Sequence, residues 1–461
     1  MHGGAVTIAL VPERRTLLTW FVAIAVAVAF ADSSIVVLAL PELYGRFDTT
    51  IEGVSWVVTA YNASVAVVAL ALVFVVHRWR ATRVVAGGLV VFIAASLVCA
   101  SAGSLELLIA ARCVQGAGAA LLLAGALPLL VALTGSTTRG SAIWTVAGTF
   151  GAALGPALGG VVTQVFDWRA IFAVQAPLAA LALVAAAAAP AAPPLEEGWR
   201  PSLGRTIPAN ACLGLLFGAL VGVLFLSVLL VITVWGYSPI GGAAIISVLP
   251  AATLVARRLA SKLDPLVSVC AGAGLLALGL LVLAFLPSAS VTRAAAALVL
   301  CGVGLGLAIP LLSAAALDTG AGLTRSATLT IGVRHLGLVL ALVVIAPILA
   351  SQLPAAGHQV TLRATAALLD APIGLRTKIP VALGVAAELE QAKAGEIPDL
   401  AKPFDDHGAR QDGDVAAARD DVIATIEGTI TRSFRTAFLF SAALAAGALL
   451  LAAVLRKRVL A

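Results

Sequence analysis

The sequence predicts an all-α integral membrane protein: twelve spanning helices in two sets of six, with an enlarged polar loop outside the membrane before the last helix. Three observations carry this. Of the 461 residues, 61% are hydrophobic and only 11% charged, where a soluble domain needs roughly a quarter charged. The apolar residues come in blocks of Ala, Leu, Val and Gly, each long enough to cross a hydrocarbon core of ~30 Å at about 1.5 Å per residue. No stretch alternates apolar with polar residues in the ~10-residue segments of a membrane β-barrel.

The first block, 16–40, follows the basic pair Arg14 and Arg15. Its start resembles a signal peptide, but the apolar run continues past that length and reads as the first span. Further blocks at 53–76, 83–102, 105–134, 140–166 and 169–192 complete a first bundle, residues 1–192. A Pro-rich polar segment, 193–205, forms a linker to the second bundle, 206–461. Its spans lie near 206–236, 240–258, 264–286, 290–318, 328–352 and 434–455, with the weakest division at Gly236–Pro239. The polar stretch 352–433 holds twelve of the 23 acidic residues. Within it Val415, Val422, Ile426 and Ile430 recur at near-helical spacing, which predicts an outward extension of the last helix.

The net charge of +6 raises the question of a nucleic-acid partner, and placement answers it. Arg14, Arg15, Arg78, Arg80, Arg83, Arg139, Arg200, Arg205, Arg257, Arg258, Lys262 and Arg325 all fall on one side of the spans. The short connections on the other side hold Arg46, Arg169 and Arg293. Basic connections resist translocation, so both termini are expected in the cytoplasm and no nucleic-acid partner is implied. With no organelle signal, a plasma membrane is expected. The five cysteines form no CxxC pair and stand near no His at ligand spacing, so they read as small core hydrophobes and no metal site is expected.

Several local patterns resemble the major facilitator superfamily, and within it the bacterial drug/proton antiporters. AlaAspSerSerIleValValLeuAlaLeuPro (31–41) resembles the first-helix signature of that group, with Asp32 as its acid. AlaAlaArgCysValGlnGlyAlaGlyAlaAla (110–120) is similar to the family's fourth-helix pattern around an intramembrane Arg. Gly151, Gly155, Pro156, Gly159 and Gly160 are spaced as in the antiporter motif of the fifth helix, followed by AspTrpArgAlaIlePhe (167–172). GlyTyrSerProIleGlyGly (236–242), GlyValGlyLeuGlyLeuAlaIlePro (302–310) and ArgHisLeuGly (334–337) each resemble counterparts in the second half. The cytoplasmic loop motif departs from the pattern. His77 stands where the family has Asp, flanked by Arg78 and Arg83, and Ser261 replaces the acid in the partial echo at 257–264. A latch built from His77, Arg78 and Arg83 therefore differs from the usual charge network.

The resemblance implies the major facilitator fold, a monomer in a bacterial inner membrane, and secondary transport without a cofactor, driven by a proton gradient. The expected substrate is an amphiphilic or cationic small molecule, exported by alternating access. A lipid or lipid-linked exporter is the alternative, and a transport-dead sensor or scaffold is the alternative of another class. No paired carboxylates or Ser/His/Asp set share a depth, so no enzyme is expected.

Ionisable residues inside spans are functional by default. Asp32, Arg112, Arg334 and His335 are the clearly embedded ones, and Asp32 and Arg112 lie at similar depth. Asp32 and Arg112 are the expected proton-coupling pair, because desolvation favours the neutral acid while a nearby cation favours the carboxylate. A structural ion pair is the competing reading. The glycines and Pro156 form an expected gate hinge, since small residues admit a neighbouring backbone and proline frees a hydrogen bond. Asp32, Tyr61, Asn62, Gln115, Trp144 and Arg334 are the expected cavity residues, with Gln175 a further polar candidate.

Overall fold

The computed structural model describes residues 12–76, 79–189, 206–317, 322–391, 400–407, 409 and 412–454. The linker 193–205 and the latch residues His77 and Arg78 lie outside them. Twelve helices among the described residues are long and apolar enough to cross a membrane. The first span joins α1 (Pro12–Ile35), a 3-10 turn (Val36–Ala39) and α2 (Leu40–Arg46). Its end lies beyond the 40 expected from sequence, because Pro41 occupies the first turn of a new helix, where its missing N–H costs nothing. Then come α3 (Ile51–Val75), α4 (Ala81–Ser101), α5 (Leu105–Thr134), α6 (Thr137–Val165) and α7 (Trp168–Ala188).

Short polar side chains start these helices. Thr50, Ser104 and Ser136 each accept a hydrogen bond from the backbone N–H three residues on. Asp167 accepts from both Arg169 and Ala170. Gly135 ends α5 with φ of 65°, a left-handed conformation that a side chain would strain.

The second half opens with α8 (Thr206–Val228), which runs into a π-helical turn (Leu229–Val234). The break at Gly236–Pro239 consists of Gly236 at φ 68° followed by Ser238 capping α9 (Pro239–Ile246). A kink at Ser247 leads to α10 (Val248–Ala260), then α11 (Pro265–Ala284) and α12 (Val291–Ala316).

The two halves repeat one packing device. A Cβ on Gly88 would lie 2.5 Å from Leu122 N, and one on Gly118 2.5 Å from Phe92 N, so α4 and α5 meet backbone to backbone. Gly272 and Gly304 place α11 against α12 in the same way, with added Cβ atoms 2.5 and 2.4 Å from the opposing carbonyl oxygens. Third and fourth spans of each half thus share a small-residue contact, as an internal repeat requires.

The eleventh span does not end at the membrane. α13 (Leu323–Asp370) is one helix of 48 residues. It is followed by α14 (Leu375–Gln391), α15 (Lys402–Asp405) and α16 (Gly413–Ser433), and a turn at Phe434 leads into the last span, α17 (Arg435–Val454). The described residues of the polar stretch 352–433 therefore form a largely helical stalk rather than a loop. Its core is an apolar seam: Leu353, Ala356, Val360, Ala364 and Leu368 of α13 are buried, as are Val415, Val422, Ile426 and Ile430 of the packed α16. Charges on the outer faces mask this period in the sequence. Trp235 Nε1 donates to Thr431 Oγ1 at 3.1 Å and ties the stalk base to the end of the seventh span.

Half-buried Glu427 on α16 carries a pH consequence. Desolvation lifts its carboxyl above the ordinary value of 4.5, so the native stalk holds this proton more tightly than the unfolded chain does. Stability is then lost as pH rises from 4.5 through the native value. Amide exchange in α16, corrected for intrinsic rates, is expected to speed up over that window, and Glu427→Gln is expected to flatten the response. A wild-type stalk whose protection ignores pH would contradict this.

Candidate functional site

The functional candidates build from a closed network in the first half. Asp32 on α1 and Arg112 on α5 form an ion pair through Oδ2 and Nη1, and both side chains are fully buried. Gln175 Nε2 on α7 donates to the other Asp32 oxygen at 2.7 Å. Gln115 Oε1 accepts from Arg112 Nη1 at 2.7 Å, while its Nε2 donates to Gln175 Oε1 at 2.8 Å and Ser96 Oγ at 2.9 Å. Arg112 Nε donates to Val57 O at 2.9 Å, and the guanidinium lies over the Tyr61 ring at 4.2 Å. Tyr61 in turn donates to Ala29 O. Only Arg112 Nη2 is left without a partner in this set. Two charges withdrawn from water need such compensation, because desolvation otherwise exceeds their attraction.

Beside this network lies a cavity between the halves, with about 1420 Å³ of space free of atoms when its solvent-open mouth is included. α1, α6, α8, α10, α12 and α13 supply its walls. It runs from mid-depth at Pro156 and Leu338 to Arg257, Ser313 and Leu317, near the ends of α10 and α12 on the face that carries the basic residues. Its lining is mainly apolar with a few hydroxyls, the usual make-up of a small-molecule pocket.

Of the six expected cavity residues, Trp144 and Arg334 line it. Asp32, Tyr61, Asn62 and Gln115 do not: all four are fully buried behind the wall, the polar atoms of Asp32, Tyr61 and Gln115 used within the first half and those of Asn62 partly across to the second. Gln175 is likewise a member of the buried network. Arg334 stacks on Phe217 at 4.0 Å and over Phe30 at 5.2 Å, which bridges the halves. His335 shares a 2.7 Å hydrogen bond with Asn62 Oδ1 across the same divide. The Asn62 amide donates to Val58 O and presents its oxygen to His335 and Ser33, so the ring nitrogen Nδ1 is the donor. Ser33, Phe30 and Arg257 also face the cavity. Sequence reasoning passed over them because a serine, an aromatic and a helix-end arginine are unremarkable in isolation.

The expected hinge residues divide by direction. α6 is continuous through Pro156, which faces the cavity. Gly151, Gly155 and Gly159 press on α1 of the same half, where added Cβ atoms would meet Ala27 O at 2.1 Å, Ser34 Oγ at 2.0 Å and Ile35 O at 2.5 Å. Gly160 instead faces α9 of the other half, 2.6 Å from Pro239 O and 2.2 Å from Ala243 Cβ by the same measure. Gln164 reinforces that contact by accepting from Ile240 N at 2.8 Å. The halves are thus sealed on the stalk side of the cavity. Of the expected latch, Arg83 is exposed on the first turn of α4 and makes no ion pair among the described residues.

Comparison with known proteins follows the same lines. The chain is 32% identical over 170 residues to the drug efflux pump JefA of Mycobacterium tuberculosis, covering 36% of this chain and 34% of that protein. It is 36% identical over 155 residues to the methylenomycin A resistance protein of Streptomyces coelicolor, covering 33% of each. The match thus spans about a third of the length of these curated relatives. In architecture it is similar to a bacterial homologue of the human lysosomal transporter Spinster, with a TM-score of 0.67 at 15% identity over 98% of both chains. The family model described as Major Facilitator Superfamily matches residues 22–342. With twelve spans, a cavity between two halves and that match over most of its length, the chain belongs to the major facilitator superfamily.

Proposed function

We propose that this secondary transporter exports amphiphilic small molecules in exchange for protons by alternating access. The observation that carries the reading is the fully buried Asp32–Arg112 pair directly behind the wall of a largely apolar cavity. Asp32 is the proton site and Arg112 its charge partner. Protonation of Asp32 discharges the pair, loosens the bonds from Arg112 and Gln175, and changes how α1 seats against α5 and α7. Ser33 and Ser34, next in sequence to Asp32, line the cavity, so the change reaches bound substrate through α1. The efflux relatives support the direction of transport. In this reading, which the resemblance and the charge distribution support, both termini lie in the cytoplasm of a bacterial inner membrane and residues 1–192 and 206–461 are the two moving bodies of a monomer.

The test uses the purified full chain in sealed vesicles with a pH-sensitive dye inside. Amphiphilic compounds are expected to drive proton movement through the wild type. Asp32→Asn is expected to lose that coupling while still passing compounds down their own gradient. Asp32→Glu keeps the acid and is expected to retain partial coupling. Gradient-driven transport at the wild-type rate in a folded Asp32→Asn protein would sink the proposal.

A further inference from the structure

The cavity has a charge bias that an amphiphile's apolar body does not use. Arg334 and Arg257 face it from different helices, and no Asp or Glu lines it among the described residues. Asp32, the one acid of the neighbouring network, has both oxygens engaged. Counting from the helix ends on the basic face at about 1.5 Å per residue, Arg257 lies ~5 Å in and Arg334 ~16 Å in. The two cations therefore mark successive depths along the route from that face to mid-membrane.

Arg334 is held by rings rather than by a counter-ion. Its guanidinium lies over Phe217 and Phe30, and no carboxylate among the described residues pairs with it. A guanidinium stays protonated at any physiological pH and offers five donors, so stacking leaves its edge unspent. A second unspent donor sits in the same cluster. Trp144 is 3% exposed and lines the cavity, and its indole Nε1 has no hydrogen-bond partner. Trp144 packs edge-on against Phe30 with ring centroids 5.7 Å apart, so Phe30 touches both donors. An unpaired buried donor such as Trp144 Nε1 is costly, and with the half-buried Arg334 guanidinium unpaired beside the same ring the pair calls for an acceptor.

From this we infer that the transported amphiphile carries an anionic, acceptor-only head, a carboxylate, sulfonate or phosphate, held by Arg334 and Trp144 with its apolar body along α6, α10 and α12. The inference rests on the transport reading above and sharpens its substrate class. It replaces the cationic substrate expected from sequence, because the acid that would have met a cation is committed to Arg112. Arg257 near the basic face is a first attraction point for the same head.

Binding to the full chain in lipid nanodiscs tests this without any gradient, so failure of proton coupling leaves it untouched. Three fluorescent probes share one naphthyl-octyl body and differ in the head: phosphate, trimethylammonium or hydroxyl. Partition into empty nanodiscs is subtracted. The phosphate probe is expected to bind at least tenfold tighter than the trimethylammonium probe. Arg334→Gln is expected to remove that preference, and Arg334→Lys to keep part of it. Trp144→Phe, which keeps the ring and loses the N–H, should weaken the phosphate probe several-fold and leave the hydroxyl probe unchanged. Equal or tighter binding of the trimethylammonium probe overturns the inference, as does a phosphate preference that survives in Arg334→Gln. If Arg334→Gln does not fold, the wild-type ranking and Trp144→Phe decide. Competition by a lysophospholipid or by a water-soluble aryl carboxylate separates a lipid from a soluble acid. Displacement by either supports an anionic head, and displacement by neither overturns it.

Discussion

Asp32→Ala is expected to cost about 3–5 kcal/mol of stability, because it strands the Arg112 guanidinium at a fully buried site. Arginine cannot shed its proton, so what is left to it is the neutral acceptors Val57 O and Gln115 Oε1 and the ring contacts with Tyr61 and Phe172, none of which supplies a counter-charge. The reciprocal change, Arg112→Met, is expected to cost distinctly less, since a stranded Asp32 can take up a proton and still accept from Gln175. The double variant Asp32→Asn/Arg112→Met removes both charges and keeps an amide for Gln175. It is expected to recover most of the stability while remaining uncoupled. Thermal unfolding in a fixed detergent ranks the variants, and the vesicle assay reports coupling. A purely structural pair predicts that the double variant regains transport along with stability, so the two readouts separate the alternatives.

Gly160→Ala is expected to shift the balance between the two faces of the transporter rather than its folding. The added methyl meets Pro239 O and Ala243 Cβ across the divide between the halves, on the stalk side of the cavity. Overpacking of this kind costs about 1–3 kcal/mol. Here that cost falls only on the state with the stalk side closed, which corresponds to a population change of about 5- to 150-fold. Spin labels at the exposed positions Val165 and Tyr237, at the end of α6 and just before α9, are expected to report a longer separation in the variant. Gly151→Ala is the control. Its methyl meets Ala27 O within one half, so it should lower stability and leave the label distance unchanged.

The spans were legible in the sequence because lipid enforces long apolar blocks and admits no irregular backbone within its hydrocarbon. Asp32 and Arg112 were legible as a pair for the same reason: an ionisable group in hydrocarbon must find its opposite at its own depth. What the pair faces was not legible. Helical period places Asp32 on α1 but says nothing of Gln175 reaching it from α7, and the acid expected to line the cavity is walled off by that contact. Arg334 was expected in the cavity, and its stacking between Phe30 and Phe217 depends on how the two halves meet, which no local pattern encodes. The stalk was half legible. Val415 to Ile430 announced their helix, but the matching row from Leu353 to Leu368 is spaced with alanines and bordered by charge, and reads as a polar loop until its partner is seen.

Because α13 is one unbroken helix from the basic face to the stalk tip, whatever the second half does at the cavity is written large outside the membrane. Asp370 lies 35 residues beyond His335, which is ~50 Å along a straight helix. A rigid-body tilt of about 10° about the level of His335 would then sweep the tip through ~9 Å. The stalk is a pointer, with the turnover of a cavity deep in the bilayer as its dial.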